Sequence, residues 1–199
     1  MTLSSYSLLI LLWILFGLIH SILASATVKR VVMQIMGTGY KYYRPIYSLI
    51  ATVTLIILVH YHFTCVDTIL WRPGVIEKII ATLCILSGFA IMAICTWKYF
   101  LDLSGVGVLL GIENPIGLQE TGMHAYVRHP LYSGTILFVW GIFLGYPYWN
   151  NLIGCICLTL YTVIGMYFEE KKLVIEYGEA YQKYQARVPA LVPVIFLKK

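Results

Sequence analysis

The segment His124-Ala-Tyr-Val-Arg-His-Pro-Leu-Tyr-Ser-Gly134 brings two imidazoles and a guanidinium together, directly ahead of a proline and an apolar run. Proline is favoured in the first turn of a helix and pushes its predecessor out of the α region, so Pro130 marks a helix start. Backbone N–H groups and the dipole at such a start favour an anion. Arg128 adds a forked donor for carboxylate or phosphate. An arginine that anchors a helix end to lipid headgroups is the plainer use of the same residue. His124 and His129 have the chemistry of ligand, base or donor; a structural hydrogen bond is the plainer reading. Glu169 and Glu170 follow a later apolar run. Carboxylates at a helix C-terminus oppose the dipole. Their placement therefore calls for a cationic ligand, ligand hydroxyls, Arg128 or Arg187, unless solvation beside Lys171 and Lys172 suffices. His20 and Ser21 lie near the end of the first apolar run, where polar groups tend to face the protein interior. His60 and His62 are expected at a membrane interface.

Other chemistries find no support. Ser104-Gly-Val-Gly-Val-Leu-Leu-Gly111 has the look of a dinucleotide loop, but no strand–helix unit surrounds it and a lone G-x-G is weak. No G-x-S-x-G and no H-E-x-x-H occur, so a hydrolase would lack its nucleophile elbow or metal site. Cys65, Cys84, Cys95, Cys155 and Cys157 lie in or beside apolar runs. None has a partner at zinc spacing, and they read as reduced, small apolar residues. No metal site is expected.

The elements that must position these groups are set by composition. Of 199 residues, 60% are hydrophobic and 12% charged, with mean hydropathy +0.81. A soluble domain carries roughly 25% charged residues. The chain is therefore expected to be an all-α integral membrane protein forming a single domain over residues 1–199. Apolar segments at 6–25, 47–63, 79–97, 131–148 and 152–168 predict about five transmembrane helices, each near the roughly 20 residues that a bilayer requires. A signal peptide is disfavoured for the first, because no Lys or Arg precedes it and it is long enough to span. Only Trp149-Asn-Asn151 joins the last two, which must form an antiparallel hairpin. Trp71, Trp97, Tyr148 and Trp149 fall at span ends, where interfacial aromatics belong.

Five spans put the first and third loops on one side with the tail. That side carries twelve of the 14 Lys and Arg residues. The positive-inside rule then places the N-terminus outside and the tail in the cytosol. The formal charge of +5 needs no nucleic acid; topology and anionic lipid account for it. The third loop, Lys98 to Pro130, is long and glycine-rich. After Phe168, Leu173, Tyr177, Tyr181 and Tyr184 recur at helical spacing, Gly178 interrupts, and Val188-Pro-Ala-Leu-Val-Pro193 excludes a regular helix. The tail thus reads as short amphipathic helices with an extended end. The short hairpin sets Arg128–His129 and Glu169–Glu170 at one membrane depth, which predicts a shared polar pocket.

These residues also carry a resemblance. Gly122-Met-His-Ala-Tyr-Val-Arg-His-Pro-Leu-Tyr-Ser-Gly134, with Glu169, Glu170, Gly178, Tyr181, Tyr184, Val188 and Pro189 at their spacings, resembles the integral-membrane methyltransferases. These include the isoprenylcysteine carboxyl and phospholipid methyltransferases. The N-terminal half, with Leu15-Phe-Gly-Leu-Ile-His-Ser21, Tyr42-Tyr-Arg-Pro45 and Trp71-Arg-Pro73, is similar to the methanethiol S-methyltransferase and NnrU-like branch. Its third loop reads Val106-Gly-Val-Leu-Leu-Gly111, where that branch carries Leu-Arg-Gln.

The resemblance implies S-adenosylmethionine bound within residues 98–199, on the cytosolic side. His124, Tyr126, Val127, Arg128, His129, Pro130, Tyr132, Glu169 and Glu170 would bind it. Arg128 and the helix start would take its carboxylate, and a glutamate its ribose hydroxyls or ammonium. Arg128, Glu170, Arg187 and His20 are the candidate catalytic residues. The acceptor would be a small or lipophilic thiol, carboxylate or amine entering from the bilayer, with His20, Arg44 or Arg187 favouring its anion. Two rival readings are a haem-dependent isomerase of the NnrU-like type, with His20 and His124 on the iron, and a non-enzymatic membrane assembly factor.

Overall fold

The computed structural model describes residues 3–64, 68–104, 106–110 and 117–193. It is all helix, apart from an isolated antiparallel bridge between Ile69 and Tyr148 among the described residues. The long helices are α1 (Leu3–Ala24), α3 (Tyr43–Thr64), α4 (Val75–Ser104) and α7 (Trp149–Tyr177). Shorter ones are α2 (Ala26–Met36), α5 (Val106–Leu109), α6 (Pro130–Gly145) and α8 (Glu179–Arg187). Among the described residues, four helical stretches, Ser5–Ala24, Ala26–Thr64, Val75–Lys98 and Trp149–Tyr177, are long and apolar enough to cross a membrane. Leu11, Ile22, Leu49, Ile56, Leu83 and Phe89 are exposed on them, as lipid-facing side chains must be. The chain is a multi-pass membrane protein.

The remaining expected span is shorter than its sequence suggested. α6 ends at Gly145, and its 16 residues reach about 24 Å. Pro147 and Tyr148 are diverted into a turn, where the Leu70 N–H donates to the Pro147 carbonyl at 2.8 Å. α6 is instead gripped from both sides. Gly88 on α4 lies so close to it that a Cβ there would stand 2.6 Å from the Phe138 amide nitrogen. A Cβ at Gly134 would stand 3.0 Å from the Gly88 carbonyl, and one at Gly141 would stand 2.9 Å from Cys84 and the Ile85 amide. Small residues let membrane helices approach to backbone contact, where packing rather than hydrophobicity holds them. On its other face, α6 reaches α7 through a 3.0 Å bond from the Trp140 indole to the Thr159 hydroxyl.

Three other boundaries moved. The first loop contains an amphipathic helix, α2, that the span count did not reveal; the Ser25 hydroxyl caps it by accepting from Val28 N–H, and Gly37 ends it at φ 52°. α4 runs past the expected end at Trp97 to Ser104. α7 does not stop at Phe168 but continues for nine residues to Tyr177, where Gly178 closes it at φ 55°. Glu169 and Glu170 therefore stand inside a helix, and the dipole argument for their unusual placement falls away.

α1 runs alongside α7 and antiparallel to α3. Their core is Leu9, Trp13 and Leu58, with Tyr61, Ile153 and Leu158 against it. His62, expected at an interface, is buried there. Its Nε2 lies 3.0 Å from Asn151 Oδ1, and its ring meets Trp13 edge-on. Asn150 Nδ2 donates to the His62 carbonyl at 3.0 Å, and Asn151 Nδ2 to the Tyr146 carbonyl at 2.7 Å. The two asparagines, expected in the hairpin turn, stand instead in the first turn of α7, which begins at Trp149, and tie α3 to it. His60 is exposed. Cys84, Cys95, Cys155 and Cys157 are free thiols, as expected; Cys65 lies outside the described residues.

Candidate functional site

Pro130 opens α6 as its chemistry demands, with His129 held outside the helix at φ −123°. Arg128 and His129 cannot donate their amides to a helix turn, and the extended tail takes them. Arg128 N–H donates to the Pro189 carbonyl at 2.9 Å, and His129 N–H to that of Ala190 at 3.0 Å. The Ser133 hydroxyl adds a 2.6 Å bond to the Leu191 carbonyl. The proline-broken end of the chain thus lies like a short strand along the start of α6.

The Arg128 side chain completes this clamp. Its Nε and Nη2 grip Glu170 Oε1 at 2.7 and 2.6 Å. Its Nη1 donates to the carbonyls of Gln185, at 3.2 Å, and Val188. His129 Nε2 lies 3.1 Å from the same Glu170 oxygen, and Gln185 Nε2 donates to Oε2 at 3.0 Å. The two charged side chains are only 11% and 19% exposed. The hairpin set these groups at one depth, and of the partners open to the glutamates, Arg128 is the one that meets Glu170. It also corrects one expectation: neither the guanidinium nor the two amides ahead of α6 stand open for a ligand's carboxylate, because Glu170 and four tail carbonyls hold them.

Glu169 has a different role from its neighbour. Successive helical residues point about 100° apart, so only one of the pair can face Arg128. Glu169 turns instead into a cavity of about 370 Å³ between α6, α7 and α8, within the range of small-molecule sites. Its Oε2 accepts a 2.8 Å bond from the Tyr132 hydroxyl, and the Tyr132 ring stacks on His129 with centroids 5.4 Å apart. Leu118, Leu131 and Leu173 give the cavity apolar wall, and Tyr177, Tyr181 and Tyr184 line the rest with aromatic surface.

Tyr181 and Tyr184 are almost wholly buried, which gives the tail's aromatic spacing its physical meaning. Tyr184 donates to the His124 carbonyl at 2.6 Å and pins α8 to the loop. Burial and the nearby Glu170 charge push the Tyr181 hydroxyl up to about 12, so it stays protonated. His124 Nδ1 donates to the Arg128 carbonyl at 3.1 Å, which fixes that nitrogen as the protonated one. Burial lowers its pKa, the Arg128 carbonyl opposes that shift, and Lys98 and His129 add to it.

Of the residues the sequence nominated, His124, Arg128, His129, Pro130, Tyr132 and Glu169 line this cavity. Glu170 stands behind the wall. Val127 is buried and Tyr126 is 65% exposed, neither of them lining it, because the turn from Gly122 to Ala125 directs them away. Arg187 is 64% exposed and pairs with Glu120 at 2.7 Å, not with the glutamates of α7. His20 lies in a separate cavity between α1 and α3, bonded to the Tyr47 hydroxyl at 2.8 Å. His20 and His124 thus do not face each other across one space. Gln119, Leu131, Leu173 and Tyr177 line the cavity as well; the helical spacing of Leu173, Tyr177, Tyr181 and Tyr184 is the sequence signal for Leu173 and Tyr177.

Known proteins resemble this chain along most of its length. The profile of a family described as "NnrU protein" matches residues 8–196. A methanethiol S-methyltransferase of Crocosphaera subtropica is 28% identical over 191 residues, which cover 91% of this chain and 72% of that protein. A methanethiol S-methyltransferase of Pseudomonas deceptionensis is 26% identical over 195 residues, 92% of this chain and 71% of that protein. A protein-S-isoprenylcysteine O-methyltransferase of Schizosaccharomyces pombe is 33% identical over 88 residues, 39% of this chain and 34% of that protein. No solved structure matches.

Proposed function

This chain belongs to the NnrU protein family, and from that premise we propose that it is a membrane methyltransferase using S-adenosylmethionine. The relatives' names support methyl transfer in general. The observation that carries the reading here is the cavity itself. It is apolar and aromatic, with Glu169 as a half-exposed carboxylate inside it. Aromatic faces and a carboxylate suit a ligand that is cationic and carries a flat base and hydroxyls. The donor set therefore fits S-adenosylmethionine, with tyrosine faces for the base and the sulfonium, and Glu169 for hydroxyls or ammonium. The ligand's carboxylate needs donors other than Arg128; Gln119 and His124 line the same space.

When bound, this cofactor supplies an electrophilic methyl group, which the acceptor's lone pair takes as the old carbon–sulfur pair returns to the leaving thioether. The chain's residues have no proton to place on the reacting carbon. Their work is alignment and exclusion of water. The Arg128–Glu170 clamp holds the tail over the cavity, so Tyr181 and Tyr184 close it. For a thiolate or carboxylate acceptor an apolar wall favours the step, since an anion and a sulfonium react to two neutral products; an amine acceptor keeps the positive charge as an ammonium. The acceptor is a small or lipophilic thiol, carboxylate or amine; a thiol must arrive as thiolate. The site faces the cytosol, with the N-terminus outside, in keeping with the distribution of Lys and Arg.

S-adenosylhomocysteine binding, measured by calorimetry on the protein in nanodiscs, tests this. Micromolar affinity is expected, weakened at least about tenfold by Glu169→Gln, the loss that follows when a charged acceptor is removed. No binding by folded, monodisperse protein would sink the reading. With binding in hand, small thiols, prenylcysteines and lipid amines are screened as acceptors.

A further inference from the structure

The second cavity, about 380 Å³ between α1 and α3, differs in kind from the first. Leu12, Leu15, Ile19, Ile57 and Leu58 give it almost wholly apolar walls. Leu15, Ile19 and Ile57 are themselves exposed on the lipid-facing surface, so the space is continuous with the bilayer. Polarity is concentrated at one end, where His20 and Tyr47 share a hydrogen bond. Lys29 on α2 and Arg44 on α3 stand just beyond that end in the chain, and Lys172 stands on the neighbouring α7. The charges of Arg44 and Lys172 both act on Lys29. Among the described residues, none of the three forms an ion pair. The three cations, drawn from three helices, thus concentrate positive charge around Lys29 at that end of the groove.

We propose that this groove is a binding site for an anionic phospholipid, with one acyl chain between α1 and α3 and the phosphate among Lys29, Arg44 and Lys172. The parts match a lipid's own arrangement. The groove is apolar for an acyl chain. His20 and Tyr47 offer polar groups at the cationic end of the groove, where ester and glycerol oxygens would follow the acyl chain. The cations stand at the headgroup, on the face of the bundle that carries most of the Lys and Arg residues. Charge selects the occupant: a zwitterionic headgroup brings its own cation into a cluster already positive, and an anionic one does not. This proposal is independent of the methyl-transfer reading.

The test uses the full chain, delipidated in neutral detergent, with phosphatidylglycerol or phosphatidylcholine added back. Thermal unfolding and native mass spectrometry read retention. Phosphatidylglycerol is expected to stabilise the protein and remain bound where phosphatidylcholine does not. Each cation removed should weaken retention roughly fivefold, its share of attraction to an anionic surface. Arg44→Gln and Lys172→Gln, both at exposed positions, carry this test if Lys29→Gln fails to fold. Lys183→Gln, an exposed cation on α8, should change nothing. Ala51→Trp, which fills the groove, should abolish retention with all three cations in place. Equal retention of the two lipids, or of phosphatidylglycerol by the cation variants, overturns the proposal. So does stabilisation by inorganic phosphate matching that by the lipid, or full retention by Ala51→Trp, since either would reduce the site to a headgroup contact.

Discussion

α7 is locked into the bundle at both ends, by opposite chemistries. Near its start, Asn150 and Asn151 reach His62 and the Tyr146 carbonyl through amides and an imidazole. Near its end, Glu170 is gripped by Arg128, with His129 and Gln185 in attendance. The asparagine lock is buried to 6–7% exposure at each of its three residues, where an ion pair would bear its full desolvation penalty. The arginine lock stands beside a cavity and at the edge of the chain, where that penalty is smaller. The charged lock also does more. One guanidinium bonds to a helix and to two carbonyls of the tail, joining three segments far apart in sequence. The difference indicates that charge is placed where the fold must hold the extended tail, and neutral groups where it need only hold a helix.

The comparison can be broken at its stronger side first. Arg128→Ala leaves Glu170 largely buried without its arginine, with only His129, Gln185 and Tyr181 still bonded to it. Losing one partner of a buried ion pair costs about 3–5 kcal/mol when burial is complete, and these remaining bonds place the cost towards the lower end. We expect a large fall in thermal midpoint, and faster proteolysis beyond Arg187 as the tail comes free. Arg128→Ala with Glu170→Gln should recover much of the stability. If it does not, the tail carbonyls and not the ion pair are the lock. At the weaker side, Asn151→Ala strips partners from His62 and the Tyr146 carbonyl, for about 1–3 kcal/mol. Its effect should show in unfolding but leave tail proteolysis untouched. Raised proteolysis there would mean that the two ends are coupled through α7.

The smallest effect sharpens the site end. Burial depresses the pKa of His124, so folding prefers its neutral form. The unfolded chain binds a proton near pH 6.5 and the folded chain only at lower pH. Stability from this group is therefore complete above about pH 6.5 and is lost as pH falls below it. A shallow decline in thermal midpoint between pH 7.5 and 5.5 is expected, and His124→Gln should flatten it. An unchanged slope would assign the acid sensitivity to another group.

The sequence by itself marked the apolar helices and where one of them starts. Apolar length marked α1, α3, α4 and α7, the three-residue turn required the α6–α7 hairpin, and Pro130 set where α6 begins. Those properties are local, since transfer from water to lipid is summed along a segment. The same hairpin put Arg128 level with Glu170, and the tail's tyrosine spacing showed an aromatic face. What each polar side chain faces was settled only by the tertiary structure. Glu169 and Glu170 are adjacent in sequence and chemically identical, yet one lines the cavity and the other anchors the tail. His20 looked like a partner of the site and occupies a different groove, while His62 looked interfacial and is buried against Asn151. The end of α6 was likewise decided outside itself, by the turn in which the Leu70 N–H binds the Pro147 carbonyl. A helix turns by about 100° per residue. Hydropathy does not record the rotation at which a helix is set; the packing of its neighbours sets it.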